Sequence, residues 1–377
     1  MVKTDLVKGF KDFVGEEGIK RAAIRKILVE AFEKYGFNPV ETPLVEYEEF
    51  IKGDNPNDEA VSDIFKLQDK GKRKLALRYE FTFQLKRLMQ NKKLPFKRYQ
   101  IGEVFRDEPV SQNRFRQFTQ CDIDCIGSSV KDEAEILAAT NEIMKKLGIK
   151  ARIYFNNRKL LNEILDSFGI KKKQEVIREI DKLDKLSEKE VRQNLKKFGA
   201  EKVLAVFKKS EKYFEKFESY NEVKELKKSC KDYGVKIDFL PTLARGLSYY
   251  NSSVFEVRVK ESKDSICGGG SYMFNEIQST GISFGLDRLT GLAKLDSEDE
   301  KYLIVSLGED KKAVELASKL RLNGEKVSLF YGKPSKALEY ANSYLINKVV
   351  FVGAREVKEK KFKIKDMKSG KESLLKI

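Results

Sequence analysis

Histidine is absent from all 377 residues. That excludes any mechanism in which the protein supplies an imidazole: a Ser-His-Asp triad, a Cys-His dyad or a His-ligated zinc site. Chemistry has to come from carboxylates, Arg, Lys, Tyr, Cys, a metal or the substrate itself. Cysteine is scarce, and Cys121, Cys125, Cys230 and Cys267 form no CxxC pair that could start a zinc ribbon. Few, scattered thiols suit a reducing cytosol, and Cys121, Cys125 and Cys267 read as packing residues. No run approaches 18 apolar residues, so no membrane-spanning helix is expected. The opening MVKTDLVKGFKDF lacks the apolar stretch of a signal peptide. Two phosphate-binding fingerprints are missing as well, GxxxxGK[ST] and a GxGxxG following a strand. Any bound ATP would therefore lie on an antiparallel sheet.

Charge is plentiful. The 75 Lys+Arg against 59 Asp+Glu give +16, which makes nucleic acid or nucleotide the leading partner class. Lys-rich proteomes give many proteins a similar balance. With 41% hydrophobic and 11% aromatic residues the chain can build cores, and its length suggests two or three domains. Residues 16–36 read as an amphipathic helix with Ile19, Ala22, Ala23, Ile27 and Phe32 on its apolar stripe and Gly36 as C-cap. A hairpin is expected to turn at Asp69-Lys70-Gly71, and residues 98–127 read as two long strands around a loop near Pro109 to Asn113. From about 158 to 235 the pattern is helical and highly charged, a small insertion. Strand patterns return at KIDFLP, YYNSSVFEVRVK and GISFGLDRL. After about residue 298 the rhythm becomes βαβα, which indicates a separate α/β domain. Residues 301–377 carry 18 Lys+Arg and 9 Asp+Glu, so +9 of the +16 sits there.

Side-chain chemistry concentrates in RYQIGEVFRDEPVSQNRFRQFTQCDIDCIG (98–127). Read as a strand, residues 114–124 alternate with period two. Arg114, Arg116, Phe118, Gln120, Asp122 and Asp124 fall on one face. Phe115, Gln117, Thr119, Cys121, Ile123 and Cys125 fall on the other, which faces a core. Arg106 and Glu108 share a face just upstream. Such a surface is either a solvated antiparallel face with cross-strand ion pairs or a nucleotide site. In the second case guanidinium forks grip phosphates, Phe118 stacks on a base and Glu108 accepts from an exocyclic amine. Arg78, Glu80 and Thr82 share one side of an extended segment. GGGSY (268–272) reads as a turn or as a place of close backbone approach, and Arg288 lies where a strand feeds a helix.

These residues carry a resemblance to the histidyl-tRNA synthetases, a family of class II aminoacyl-tRNA synthetases, of the archaeal/eukaryotic kind. The segment from the helix at 16–36 through Pro43 resembles motif 1. FRDE (105–108) with RFRQF (114–118) resembles motif 2, and GLDRL (285–289) resembles motif 3. ARGLSYYNSSVFE (244–256) is similar to the family's RGLDYYTG signature and LALRYEFT (75–82) to its LALRPE-T segment. IYFNNRKLL (153–161) and SICGGGSY (265–272) add to the match, which covers essentially the whole chain.

The resemblance implies an α+β catalytic domain on an antiparallel sheet flanked by helices, the class II synthetase fold. Its two parts are 1–157 and 236–298, with a helical insertion at 158–235 and a C-terminal α/β anticodon-binding domain at 299–377. It implies activation of L-histidine with ATP and Mg²⁺ and transfer to tRNA(His) by a cytoplasmic homodimer that has no membrane contact. Arg106 would hold the α-phosphate, Glu108 would read adenine, and Phe118 would stack on it. Arg114 and Arg288 would bind the β/γ-phosphates. Glu80, Thr82 and Gln120 would take the α-ammonium, and Asp124 and Tyr250 the imidazole. Arg245 would be the further catalytic arginine, and no protein metal ligand is assigned. Ser248, Ser271, Met273 and Tyr79 depart from the family pattern, standing where Asp, Arg, Asp and Pro are usual. The alternative is a catalytically silent paralogue serving as a regulatory or RNA-binding subunit. The missing histidines leave two accounts open: translation that continues when charged tRNA(His) runs out, or compositional drift.

Overall fold

A computed structural model describes residues 4–52, 63–90, 92–111, 114–244, 249–259, 265–295 and 300–375. The chain divides into two compact units, Met1–Asp12 with Arg21–Leu295, and Phe13–Lys20 with Asp296–Ile377.

Helix α1 (Gly15–Lys34), which belongs to the first unit from Arg21 onward, is followed there by strand β1 (Asn38–Pro39) and a small sheet of β2 (Val45–Tyr47), β3 (Lys66–Gln68) and β4 (Lys74–Leu77). The expected hairpin is present, with Gln68 paired to Lys74 across it. Two long strands follow, β5 (Phe96–Phe105) and β6 (Gln117–Ile126), then helix α2 (Val130–Lys146) and β7 (Ala151–Asn157). Helices α3 (Arg158–Ser167), α4 (Lys173–Asp181), α5 (Glu188–Lys196) and α6 (Tyr220–Asp232) occupy the charged stretch. The chain returns through β8 (Ile237–Phe239), β9 (Tyr250–Val259), β10 (Ser265–Phe274) and β11 (Ile277–Gly285) and closes on the short helix α7 (Leu286–Leu292). The large sheet has the order β1-β5-β6-β11-β10-β9-β7-β8, antiparallel except for the outermost pairs β1–β5 and β7–β8.

The alternation along β6 decides which face is which. Cys121, Ile123 and Cys125 are fully buried in one hydrophobic cluster with Ile24, Leu28 and Phe32 of α1, Ile136, Leu137 and Ile143 of α2, and Phe284 of β11. A slip of one residue would drive Asp122 and Asp124 into that core, so the register is strongly fixed. Leu160, Ile177, Val191 and Leu226 of the helical stretch belong to the same cluster.

Three local expectations need correction. The preceding strand ends at Phe105 and this one begins at Gln117, so Arg106 and Glu108, expected on the first, lie beyond it, and Arg114 and Arg116 precede the second and do not follow its alternation. The buried stripe of α1 is Arg21, Ile24, Leu28, Ala31 and Phe32, while Ala22 is exposed. The i, i+4, i+7, i+8 spacing sets that face; Arg21 is buried because it bonds Asp287 at 2.5 Å and Thr119 at 3.0 Å. Finally, GGGSY makes no turn. Gly268, Gly269 and Gly270 lie inside β10, paired on both sides with β9 and β11.

The second unit contains the sheet β13-β12-β14-β15-β16, formed by β12 (Lys301–Ser306), β13 (Lys326–Tyr331), β14 (Lys348–Val352), β15 (Lys363–Asp366) and β16 (Glu372–Leu374). β12 pairs in parallel with both neighbours. Helix α8 (Asp310–Leu322) covers one face through Ala313, Leu316, Ala317 and Leu320, and α9 (Pro334–Ser343) covers the other through Ala337 and Ala341. Sequence periodicity missed the helix α10 (Ala354–Glu359), which is too short to show a pattern, and the final strand.

The glycines of β10 generate a prediction. A Cβ on Gly269 would stand 2.0 Å from the carbonyl oxygen of Gly281. Gly269→Ala should lower the unfolding free energy by roughly 3 kcal/mol, read as a fall in urea midpoint at constant slope. A change below about 0.5 kcal/mol would contradict this packing.

Candidate active site

The free face of the large sheet carries a cavity of about 360 Å³. Its floor is made of alternate residues of β6, namely Phe118, Gln120, Asp122 and Asp124, with Gly281, Ile282 and Ser283 of β11 and Gly268, Gly269 and Tyr272 of β10. The segment Tyr79, Glu80 and Thr82 contributes a wall. Arg106, Glu108, Arg114 and Phe115 contribute another, and Tyr249, Tyr250 and Arg288 complete the lining.

Ten of the eleven residues singled out from sequence therefore line one cavity: Arg106, Glu108, Arg114, Phe118, Arg288, Glu80, Thr82, Gln120, Asp124 and Tyr250. Arg245 lies outside the described residues. Two neighbours expected on the same faces are turned away. Arg78 is buried and donates to the carbonyls of Glu103 at 2.6 Å and Thr42 at 2.8 Å, which makes it a clamp between segments. Arg116 donates to the carbonyl of Glu108 and pairs with Asp107 at 3.1 Å, bracing the loop that carries Arg106.

The cavity holds two sets of charge. Arg106 sits over the rings of Tyr79 (4.3 Å) and Phe118 (5.1 Å), so its planar guanidinium is held by stacking. Arg114 pairs with Glu108 at 2.9 Å. Arg288, exposed at the start of α7, donates to the Ser265 carbonyl. The second set is acidic. Asp124 pairs with the fully buried Arg98 at 2.7 Å and accepts from Tyr272 at 2.6 Å. Burial pushes the Glu80 carboxyl up to about 7, with Arg106 opposing. Burial likewise lifts Asp122 to about 7, against the pull of Arg98. Three carboxylates face one buried guanidinium here, and buried charge of one sign calls for a counter-ion.

Sequence reasoning gave no role to Arg98, Tyr272 or Tyr79. Arg98 becomes visible only through the strand register, which places it opposite Asp124. Tyr272 lies in a segment whose glycines left a turn and a close backbone approach both open, so no role for its ring followed. Tyr79 replaces an expected Pro, and its ring is one of the two that hold Arg106.

An antiparallel floor with guanidiniums at one set of positions and carboxylates at another suits an anionic nucleotide together with a small cationic group. The family model described as histidyl-tRNA synthetase matches residues 9–289, and that of an anticodon binding domain matches residues 301–377. The chain belongs to the histidyl-tRNA synthetase family. Histidine--tRNA ligase 2 of Shouchella clausii (strain KSM-K16) is 34% identical over 97% of this chain and 96% of its own length. Histidine--tRNA ligase 1 of Bacillus cereus (strain ATCC 14579) is also 34% identical, over 99% and 97%. The crystal structure of histidyl-tRNA synthetase from Nostoc sp. PCC 7120 superposes with a TM-score of 0.87 at 26% identity, covering 100% of this chain and 97% of that one. The class II synthetase fold with a C-terminal α/β anticodon domain follows from these likenesses.

The departures from the family pattern can now be placed. Ser248 lies outside the described residues. Met273 is half exposed. Ser271 points away from the cavity, into the helix-covered face, where its hydroxyl donates to the buried carboxyl of Glu133 on α2. Burial lifts Glu133 to about 7, while the hydroxyls of Ser253 and Ser271 oppose the shift. The folded chain thus binds this proton more tightly than the unfolded one. The resulting stability is fully present below about pH 4.5 and is lost as pH rises through 7. Glu133→Gln, neutral throughout, should therefore gain on the parent by roughly 2 kcal/mol between pH 5 and 8. Urea unfolding at several pH values checks this, and a gap that stays flat would contradict it.

Proposed function

We propose that the chain activates L-histidine with ATP to histidyl-adenylate and transfers the histidyl group to tRNA(His). The observation that carries the reading is the joint placement of Arg106, Arg288, Glu80 and Asp124 in one cavity of a chain that belongs to this family. In the first step an oxygen of the histidine carboxylate attacks the α-phosphorus of ATP. The bond from that phosphorus to the bridging β-oxygen breaks, and pyrophosphate leaves. The nucleophile is already ionised at pH 7, so no general base is needed and a protein without histidine loses nothing. Catalysis consists of alignment and of neutralising charge on phosphate oxygens.

We assign Arg106 to the α-phosphate, with Arg245 beside it, and Arg114 and Arg288 to the β/γ-phosphates. Phe118 stacks on adenine and Glu108 accepts from its amine, its carboxylate being held in place by Arg114. Glu80, Thr82 and Gln120 take the α-ammonium, and Asp124 and Tyr250 the imidazole. Tyr272 and Arg98 hold the Asp124 carboxylate in place. A ring with two nitrogens can meet both of these groups, and a side chain without them makes neither contact. Discrimination of about 10⁴–10⁵ is reachable in this way. In the second step the adenylate's phosphate oxygen accepts the proton of the tRNA ribose hydroxyl as that oxygen attacks the acyl carbon, and AMP leaves.

Mg²⁺ fits such a wall as a passenger on the nucleotide, because it keeps several waters and binds chiefly phosphate oxygens with one or two carboxylates. We divide the labour as catalytic parts 1–157 and 236–298, a helical insertion at 158–235 that leans on the tRNA acceptor arm, and a domain at 299–377 that receives the anticodon stem. The +9 charge of residues 301–377 supports the last assignment. A homodimer is supported by exposed Leu44, Val45, Tyr47 and Leu67 on the small sheet that follows motif 1. Among the described residues no helix is long and apolar enough to cross a membrane; we place the chain in the cytoplasm, with its tRNA and ATP.

The decisive measurement is ATP–pyrophosphate exchange. L-Histidine alone among the amino acids should support it, and Arg106→Ala should cut kcat/KM by about 10²–10³-fold, with Arg245→Ala as a second control. Absence of exchange from well-folded protein would favour the silent paralogue.

A further inference from the structure

We propose that Asp122 is an additional substrate-binding residue, which pairs with Glu80 to receive the α-ammonium group of histidine. The proposal rests on the histidine-activating function argued above and adds to it a residue that neither the sequence reading nor the family likeness assigns.

Asp122 lies on β6 between Gln120 and Asp124, is 5% exposed, and lines the cavity. Its Oδ1 is closed to solvent and has no hydrogen-bond partner. The neighbouring Gln120 donates its amide to Ser283 at 2.7 Å, which leaves its Oε1 likewise buried and unpartnered. Glu80 adds a third buried acceptor group on the opposite wall. Asp124 is differently placed, since Tyr272 and Arg98 already engage both of its oxygens. Ser283 and Thr82 donate to Asp122 and Glu80 respectively, so the acceptors left without a donor in this corner are Asp122 Oδ1 and Gln120 Oε1. An ammonium group is the complementary ligand, with three donors, no acceptor and a positive charge. A phosphate or carboxylate would be repelled from the same spot.

Several charged or titratable groups face Asp122: Arg98 of β5, Asp124 of β6, and Glu80 on the wall segment. Arg106 acts on Glu80, and Tyr249, Tyr250 and Tyr272 lie across the cavity. Burial raises both Glu80 and Asp122, and a cation placed beside them would oppose that rise. A purely structural role, in which Asp122 serves only as a second counter-ion to Arg98, would not depend on whether the ligand carries an ammonium.

Calorimetry on the full chain separates the two roles. The ligands are L-histidine, L-histidinol, which keeps the ammonium, and 3-(imidazol-4-yl)propionate, which lacks it. Asp122→Asn should weaken histidine and histidinol by about 10- to 100-fold while changing imidazolylpropionate and ATP by less than about two-fold, and Asp122→Glu should recover part of the loss. Equal weakening of all three imidazole ligands, or unchanged histidinol affinity, would overturn the proposal. Should both variants fail to fold, a crystal structure of the parent chain with L-histidinol still reads it: the ammonium nitrogen within about 3.2 Å of an Asp122 oxygen supports the proposal, and one beyond about 4 Å overturns it. A parent chain that binds neither histidine nor histidinol would instead sink the underlying function, an outcome distinct from tight parental binding with a silent substitution.

Discussion

One strand has to satisfy a hydrocarbon core and a field of charge at the same time. β6 does so by strict alternation, sending Cys121, Ile123 and Cys125 into the helix-covered core and Phe118, Gln120, Asp122 and Asp124 into the cavity. Every other positional fact follows from that register. The register sets Arg98 against Asp124 across β5 and Gly281 against Asp124 across β11. A Cβ at Gly281 would meet Asp124 Oδ1 at 2.2 Å, so the carboxylate lies over bare backbone. The core fixes the strand, and the strand aims the carboxylates. Because each apolar side chain buried there is worth about 1.5–3 kcal/mol, the core can also offset the cost of holding acids in the dry floor.

What sequence could show was whatever repeats or carries a signature. Period two along 114–124 separated the two faces of β6 from Gln117 onward, and the βαβα rhythm after residue 298 located the second sheet with its main helices. It failed where position depends on a distant partner. Arg21 sits on a stripe that helical periodicity assigns to apolar residues, and only Asp287 and Thr119, far along the chain, explain its burial. Arg78 shares an extended segment with Glu80 yet is drawn to backbone carbonyls at Thr42 and Glu103. The three glycines of β10 left a turn and a close backbone approach both open, and the second holds, because flanking strands press on the bare backbone from both sides.

The electrostatics and the absent histidine fit together. Adenylate formation asks for no proton acceptor in the first step, so fixed guanidiniums can supply the charge stabilisation. A guanidinium stays protonated throughout the physiological range, and the rings of Tyr79 and Phe118 hold that of Arg106 in the cavity. Acid–base flexibility is placed at the other end, in Glu80 and Asp122, whose burial keeps them close to neutrality. Those acids are the expensive part of the unliganded fold. A ligand that brings a cation relieves that cost, and one that does not leaves buried acceptors facing one another. Under the proposed assignment, selectivity for a free amino acid would begin in the desolvation that raises Glu80 and Asp122, ahead of the imidazole contacts proposed for Asp124 and Tyr250.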